Sequence, residues 1–146
     1  MNLKRLINNI GHLAIKEKLV NYSASAGSLA EINPVPVEYY PLLFITPSGS
    51  HQVMENTIIY QITLTYVDRL LEDSSNDIDI YSNSIDELQN IVNGIKILPE
   101  VVKVEDVYEI RNFTDTEALN DRVSGSYCTI RITTLKETLC YIEGDE

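Results

Sequence analysis

The pattern of apolar and polar positions changes period along the chain. Leu3, Leu6, Ile7, Ile10, Leu13 and Ala14 recur at intervals of three and four, which predicts an amphipathic helix from Leu3 to about Val20, with Asn2 as its N-cap. Gly11 inside this stretch weakens it as a helix. Over Asn56–Leu70 the period becomes two. Ile58, Tyr60, Ile62, Leu64 and Tyr66 share one face, and Thr57, Gln61, Thr63 and Thr65 share the other. That is the signature of an antiparallel strand covered on one side. The helical stripe returns in Ile85, Leu88, Ile91, Val92, Ile95 and Leu98. Ser84 and Glu87 form a capping box at its start, and Pro99 stops it. Ser126–Leu135 alternates again, with Cys128, Ile130 and Ile132 inward and Thr129, Arg131 and Thr133 outward.

The segments between are less regular. Residues 21–38 read as an extended connector, Ser/Ala/Gly-rich at first and held straight by Pro34 and Pro36. Tyr39–Thr46 reads as a strand that Pro41 demotes to an edge, and Pro47–Ser50 as the turn that leads into the hairpin with Asn56–Leu70. Glu72–Asp79 reads as an acidic loop, with Ile78 and Ile80 in a short strand. A third main strand is centred on Val107–Phe113, and Asp115–Gly125 is a polar loop. The expected fold is α+β, with two amphipathic helices packed on one face of a mainly antiparallel four-stranded sheet. The element order is helix–hairpin–helix–hairpin. Residues 1–136 form one domain, and 137–146 an acidic C-terminal tail.

A chain of 146 residues, 44% hydrophobic, buries enough surface to fold without disulfides or metals. Its formal net charge is −11, against nucleic-acid binding by phosphate neutralisation. The charge is uneven: Lys4, Arg5, Lys16 and Lys18 against Glu17 give residues 1–18 a net of +3, leaving −14 for the remainder. Cys128 and Cys140 make no disulfide framework. No apolar run approaches the ~18 residues of a membrane span, and no signal peptide is visible, so the expectation is a soluble, intracellular protein.

Candidate chemistry fails on spacing or number. His12 and His51 with two distant cysteines do not make a zinc site. Ser48, Ser50 and His51 share a turn but lack a nucleophile elbow. Glu72, Asp73, Asp77 and Asp79 do not match a calcium loop. No catalytic residue, cofactor or metal is expected, and the chain reads as a non-enzyme.

The helix from Leu3, the hairpin Leu42–Thr46 with Ile58–Asp68, the helix Ser84–Leu98 and the hairpin Val107–Phe113 with Ser126–Leu135 together carry a family resemblance. In length and element order the chain resembles the tail-completion or tail-terminator proteins of tailed bacteriophages, over most of residues 1–136. The resemblance has no signature residues, so it assigns no site. It implies a structural virion protein, assembled in the host bacterial cytoplasm and placed in the neck or tail. There it would form a ring, on the order of 6 or 12 copies, against portal, neck or tail proteins. DNA would pass through an acidic lumen without sequence-specific binding and without sticking. Candidate contacts are the basic Lys4 and Arg5, the hairpin residues Pro47, Ser48, Gly49, Ser50 and His51, and Asp115, Asn120, Asp121 and Arg122 of the second loop. The alternatives are a non-enzymatic adaptor module of another assembly, and a ligand-binding domain or enzyme with a concave pocket.

Overall fold

A computed structural model describes residues 2–24, 37–71, 75–115 and 122–136. Two helices, α1 (Leu3–Lys16) and α2 (Asp77–Lys96), accompany six strands: β1 (Tyr22–Ala24), β2 (Leu42–Val53), β3 (Thr57–Arg69), β4 (Val101–Val104), β5 (Ile110–Asp115) and β6 (Val123–Leu135). The strands form a single sheet in the order β1-β2-β3-β6-β4, with β5 also paired to β6. The sheet curls into a half-barrel.

This corrects the four-stranded, mainly antiparallel expectation. The sheet is six-stranded and mixed, because β1 pairs in parallel with β2 through Tyr22↔Leu42 and Ala24↔Phe44. The extra strands are too short to print a period. β1 occupies the start of the supposed connector, whose residues 25–36 lie outside the described ones. The strand centred on Val107–Phe113 is instead two, β4 and β5, both laid along β6, and Val107 between them is 80% exposed.

The Pro47–Ser50 turn is also corrected. These residues lie within β2, where the register slips between Pro47↔Ile62 and His51↔Tyr60. The slip is a bulge, and Gly49 with φ +95° supplies the left-handed backbone it needs. The real turn follows Val53, closed by the Met54 N–H donating to the Thr57 carbonyl at 2.9 Å. Ile78 and Ile80 are helical rather than in a strand, and α2 begins seven residues before the supposed capping box at Ser84. Ser84 faces the sheet, wholly buried, where its hydroxyl cannot cap anything. Asn2 does cap α1, accepting from the Arg5 N–H at 2.8 Å.

Both helices bury their stripes on the same face. Leu6, Ile10 and Ala14 of α1, and Leu88, Ile91, Val92 and Ile95 of α2, join Leu43, Ile45, Ile62, Leu64, Cys128, Ile130 and Ile132 in the main core. The alternation of β3 and β6 is as expected, with Tyr60, Ile62, Leu64 and Tyr66 on the buried side. A smaller cluster of Tyr40, Leu42, Phe44, Val67 and Val123 forms on the other face at one end. Those residues break the simple one-sided pattern of the sheet.

Two positions test the packing. A Cβ at Gly125 would stand 1.8 Å from the Tyr66 carbonyl oxygen on the neighbouring strand, and that backbone cannot yield. Gly125→Ala should therefore cost about 3 kcal/mol, read from urea unfolding; a loss under about 0.5 kcal/mol would refute the close approach. Thr134 is the opposite case: its Oγ1 is buried without a hydrogen-bond partner among the described residues. Thr134→Val should leave stability unchanged or raise it by about 1 kcal/mol in the same assay.

Candidate assembly interface

The direction of α1 decides what lies near what. Gly11 abuts Ser23 and Ile45, and Lys18 and Leu19 line a hollow with Pro41 and Tyr66. α1 thus runs antiparallel to β1 and β2, and its first turn, with the exposed Lys4 and Arg5, points towards the end of the sheet that bears the bulge. At that end Ser48, Gly49, Ser50 and His51 are exposed and Pro47 half-buried. His51 is held: its Nδ1 accepts from the Gln61 N–H at 3.2 Å, and its ring meets Tyr60 edge-on at 5.3 Å. Asp115 ends β5 opposite Val123, and the Arg122 carbonyl accepts from the Leu70 N–H, both at the other end of the sheet. Asn120 and Asp121 lie outside the described residues. The sequence-derived contact residues therefore divide between two ends of the domain and do not form one patch.

The lateral margins carry features that hydrophobic periodicity did not reveal. One margin is β1 backed by α1, and a groove of about 380 Å³ opens between them, lined by Ile7, Asn8, Gly11, His12, Ile15 and Ala24 among others. The other margin is β4 and β5, joined by the segment Glu105–Glu109, exposed except for Tyr108, which packs half-buried against the main core. Within its sequence, Glu-Asp-Val-Tyr-Glu, Val107 and Tyr108 fit the β composition of a strand. The acids around Val107 were the signal that it stands in solvent. A second groove, about 580 Å³, runs between the helices past Leu13, Leu19, Gly94, Ile97 and Leu98.

Polar contacts concentrate where α2 meets β5 and β6. Ser84 Oγ lies 2.6 Å from Ser126 Oγ, which donates to Asn112 Oδ1 at 2.7 Å. Ser84 Oγ also donates to the Tyr81 carbonyl at 3.0 Å. Tyr81 bonds Thr114, and Thr114 bonds Ser124 at 2.8 Å. These hydroxyls fix the seat of α2, and their partners are other hydroxyls, the Asn112 amide and the Tyr81 carbonyl. Among the described residues no three His, Cys, Asp or Glu side chains converge to hold a metal ion. No described helix is long and apolar enough to cross a membrane.

The largest shifts in titration belong to two core residues, Cys128 and Tyr66. Burial pushes the Cys128 thiol up to about 12. Burial also raises the Tyr66 phenol well above its ordinary value, with Asp68 and Glu87 adding to the effect. The Asp68 carboxyl is raised by burial, against an opposing hydrogen bond from the Arg69 N–H. No protein-family model matches the chain, and no curated protein is significantly similar to it.

The two core acids fix a pH dependence. Cys128 and Tyr66 stay protonated when folded but ionise in the unfolded chain near their ordinary values of about 8.5 and 10. Above about pH 9 the unfolded chain therefore binds fewer protons than the native one, and stability falls as pH rises. The urea midpoint at pH 10 should lie below that at pH 8, and Tyr66→Phe should flatten the difference. Equal midpoints for the native chain would contradict the burial of both groups.

Proposed function

We propose that this chain is a structural subunit that closes with its copies into a ring, and that the ring belongs to the portal, neck or tail junction of a tailed phage. Its place would be the virion, reached by assembly in the host bacterial cytoplasm, with portal, neck or tail proteins as neighbours. The observation that carries the reading is the pair of unlike lateral margins. One is a short parallel strand with a basic helix behind it, and the other is two short strands joined by an acidic exposed segment. Unlike margins on one subunit permit heterologous contacts, and these generate rings when the rotation closes. Two helices and the antiparallel pairs β2–β3 and β5–β6 occur, but in a six-stranded mixed sheet and not the four-stranded antiparallel one expected.

The charge of the chain fits a passive channel. At −11 overall, a ring of such subunits repels phosphates unless its lumen is locally basic. The role is therefore geometric: a ring of fixed diameter that adjoining rings sit against.

Light scattering on the purified chain should give the mass of a closed symmetric oligomer, with a ring visible by electron microscopy. A monomer at every concentration, and in the presence of portal and tail proteins, would sink the reading. In a gel-shift assay at ~100 mM salt, duplex DNA should run unretarded.

A further inference from the structure

The geometry points to residues 137–146 of the same chain as the occupant of the groove between α1 and α2, with Leu139–Ile142 laid over Ile97, Leu98 and Leu13. This contact within one chain does not depend on the ring reading above.

The groove is apolar and open where the helices meet. α1 and α2 run antiparallel: a Cβ at Gly94 would stand 2.8 Å from Leu13 Cδ1, while Lys18 and Leu19 line a hollow with Asn83, Asp86 and Glu87. From Ile97 and Leu98 the groove therefore runs back along α2 past Gly94 to Asn90, and forward along α1 from Leu13 to Leu19. Ile97, at its mouth, is 83% exposed, more than any other large apolar side chain among the described residues. An apolar side chain so placed gains by being covered.

The end of the described chain lies beside that mouth. Thr134 of β6 pairs with Val101, and the Val101 N–H donates to the Leu98 carbonyl at 3.1 Å. The turn that leaves the groove thus meets β6 two residues before Lys136. The Lys136 N–H donates to the Asn56 carbonyl at 3.2 Å, which fixes the point of departure. Ten residues follow, Glu-Thr-Leu-Cys-Tyr-Ile-Glu-Gly-Asp-Glu. Extended, they reach about 33 Å, and the apolar run Leu139–Ile142 covers about 10 Å of that. The α2 side of the groove, Ile97 back to Asn90, is also about 10 Å long. Lys16 lines the groove at its α1 end, is exposed, and forms no ion pair with a described residue. Glu143 directly follows the apolar run and falls towards it. Glu17 stands on the same lining, so the apolar contact rather than charge holds the segment. Residues 25–36, which also lie outside the described ones, are tethered at β1 on the far side of α1.

The test is amide hydrogen exchange on the full chain, read residue by residue by NMR across a concentration series. The amides of Leu139–Ile142 should exchange about 10-fold or more slowly than in a short unstructured peptide of the same sequence. Ile97→Asn, at an exposed position, should remove that protection and leave the amides of β3 and β6 as protected as before. Leu139→Ser with Ile142→Ser should shift the resonances of Leu13, Gly94 and Leu98. Unprotected amides at 139–142 in the native chain would refute the contact. So would protection that survives Ile97→Asn, which puts the segment elsewhere, or protection that fades on dilution, which makes the occupant a second copy. Should Ile97→Asn disturb β3 and β6, the Leu139→Ser and Ile142→Ser chain decides: unmoved resonances at Leu13, Gly94 and Leu98 sink the contact. The ring reading is tested separately, by the light-scattering mass of the native chain.

Discussion

The antiparallel ladder of β3 on β6 is the constraint on which the rest of the structure depends. It runs unbroken from Thr57↔Leu135 to Arg69↔Val123, over 13 residues of each strand, with no bulge. β2 attaches to β3, β4 and β5 attach to β6, and β1 reaches the ladder through β2. A one-residue slip of β6 against β3 would turn Cys128, Ile130 and Ile132 together out of the core. The register is therefore set by many side chains at once. It is also set by Gly125, whose missing Cβ lets the Tyr66 carbonyl approach.

The helices stabilise this ladder in different ways. α1 packs apolar residues over β1 and β2, with Gly11 allowing Ser23 to come close. α2 lies over β6 through a mixture of Leu88, Ile91, Val92 and Ile95 and the hydroxyl contacts of Tyr81 and Ser84. Burial of the apolar stripes supplies most of the stabilisation, since a buried Leu or Ile contributes roughly 1.5–3 kcal/mol and a hydrogen bond roughly 0.5–1.5 kcal/mol net. The hydroxyls contribute position instead. The buried Ser84–Ser126 contact, continued to Asn112 at the surface, leaves an unsatisfied group if α2 slides, so it pins one seating of the helix.

What the sequence made legible followed from the length of each periodic run. α1, β3 and β6 carry several repeats of their period, and their faces match expectation. β1 and β4 hold three and four residues, fewer than a pattern needs, and only pairing to a longer strand makes them strands. The start of α2 was hidden for a different reason. Ser84 with Glu87 has the composition of a cap, yet the helix continues upstream through Ile80, which is buried on the same stripe. Pro47 and Gly49 likewise have turn composition, and a bulge within β2 uses the same chemistry as a turn. The contact surfaces were least legible, because charge on a margin acquires meaning only once the strand order says which margin it occupies.

The margins also constrain how copies can meet. A long flat edge strand would invite uncontrolled strand addition. Here β1 is three residues, β2 beyond Phe44 is interrupted by Pro47 and the bulge, and the far side is divided between β4 and β5. Backbone pairing between copies is thereby limited to short stretches, and side chains must determine association.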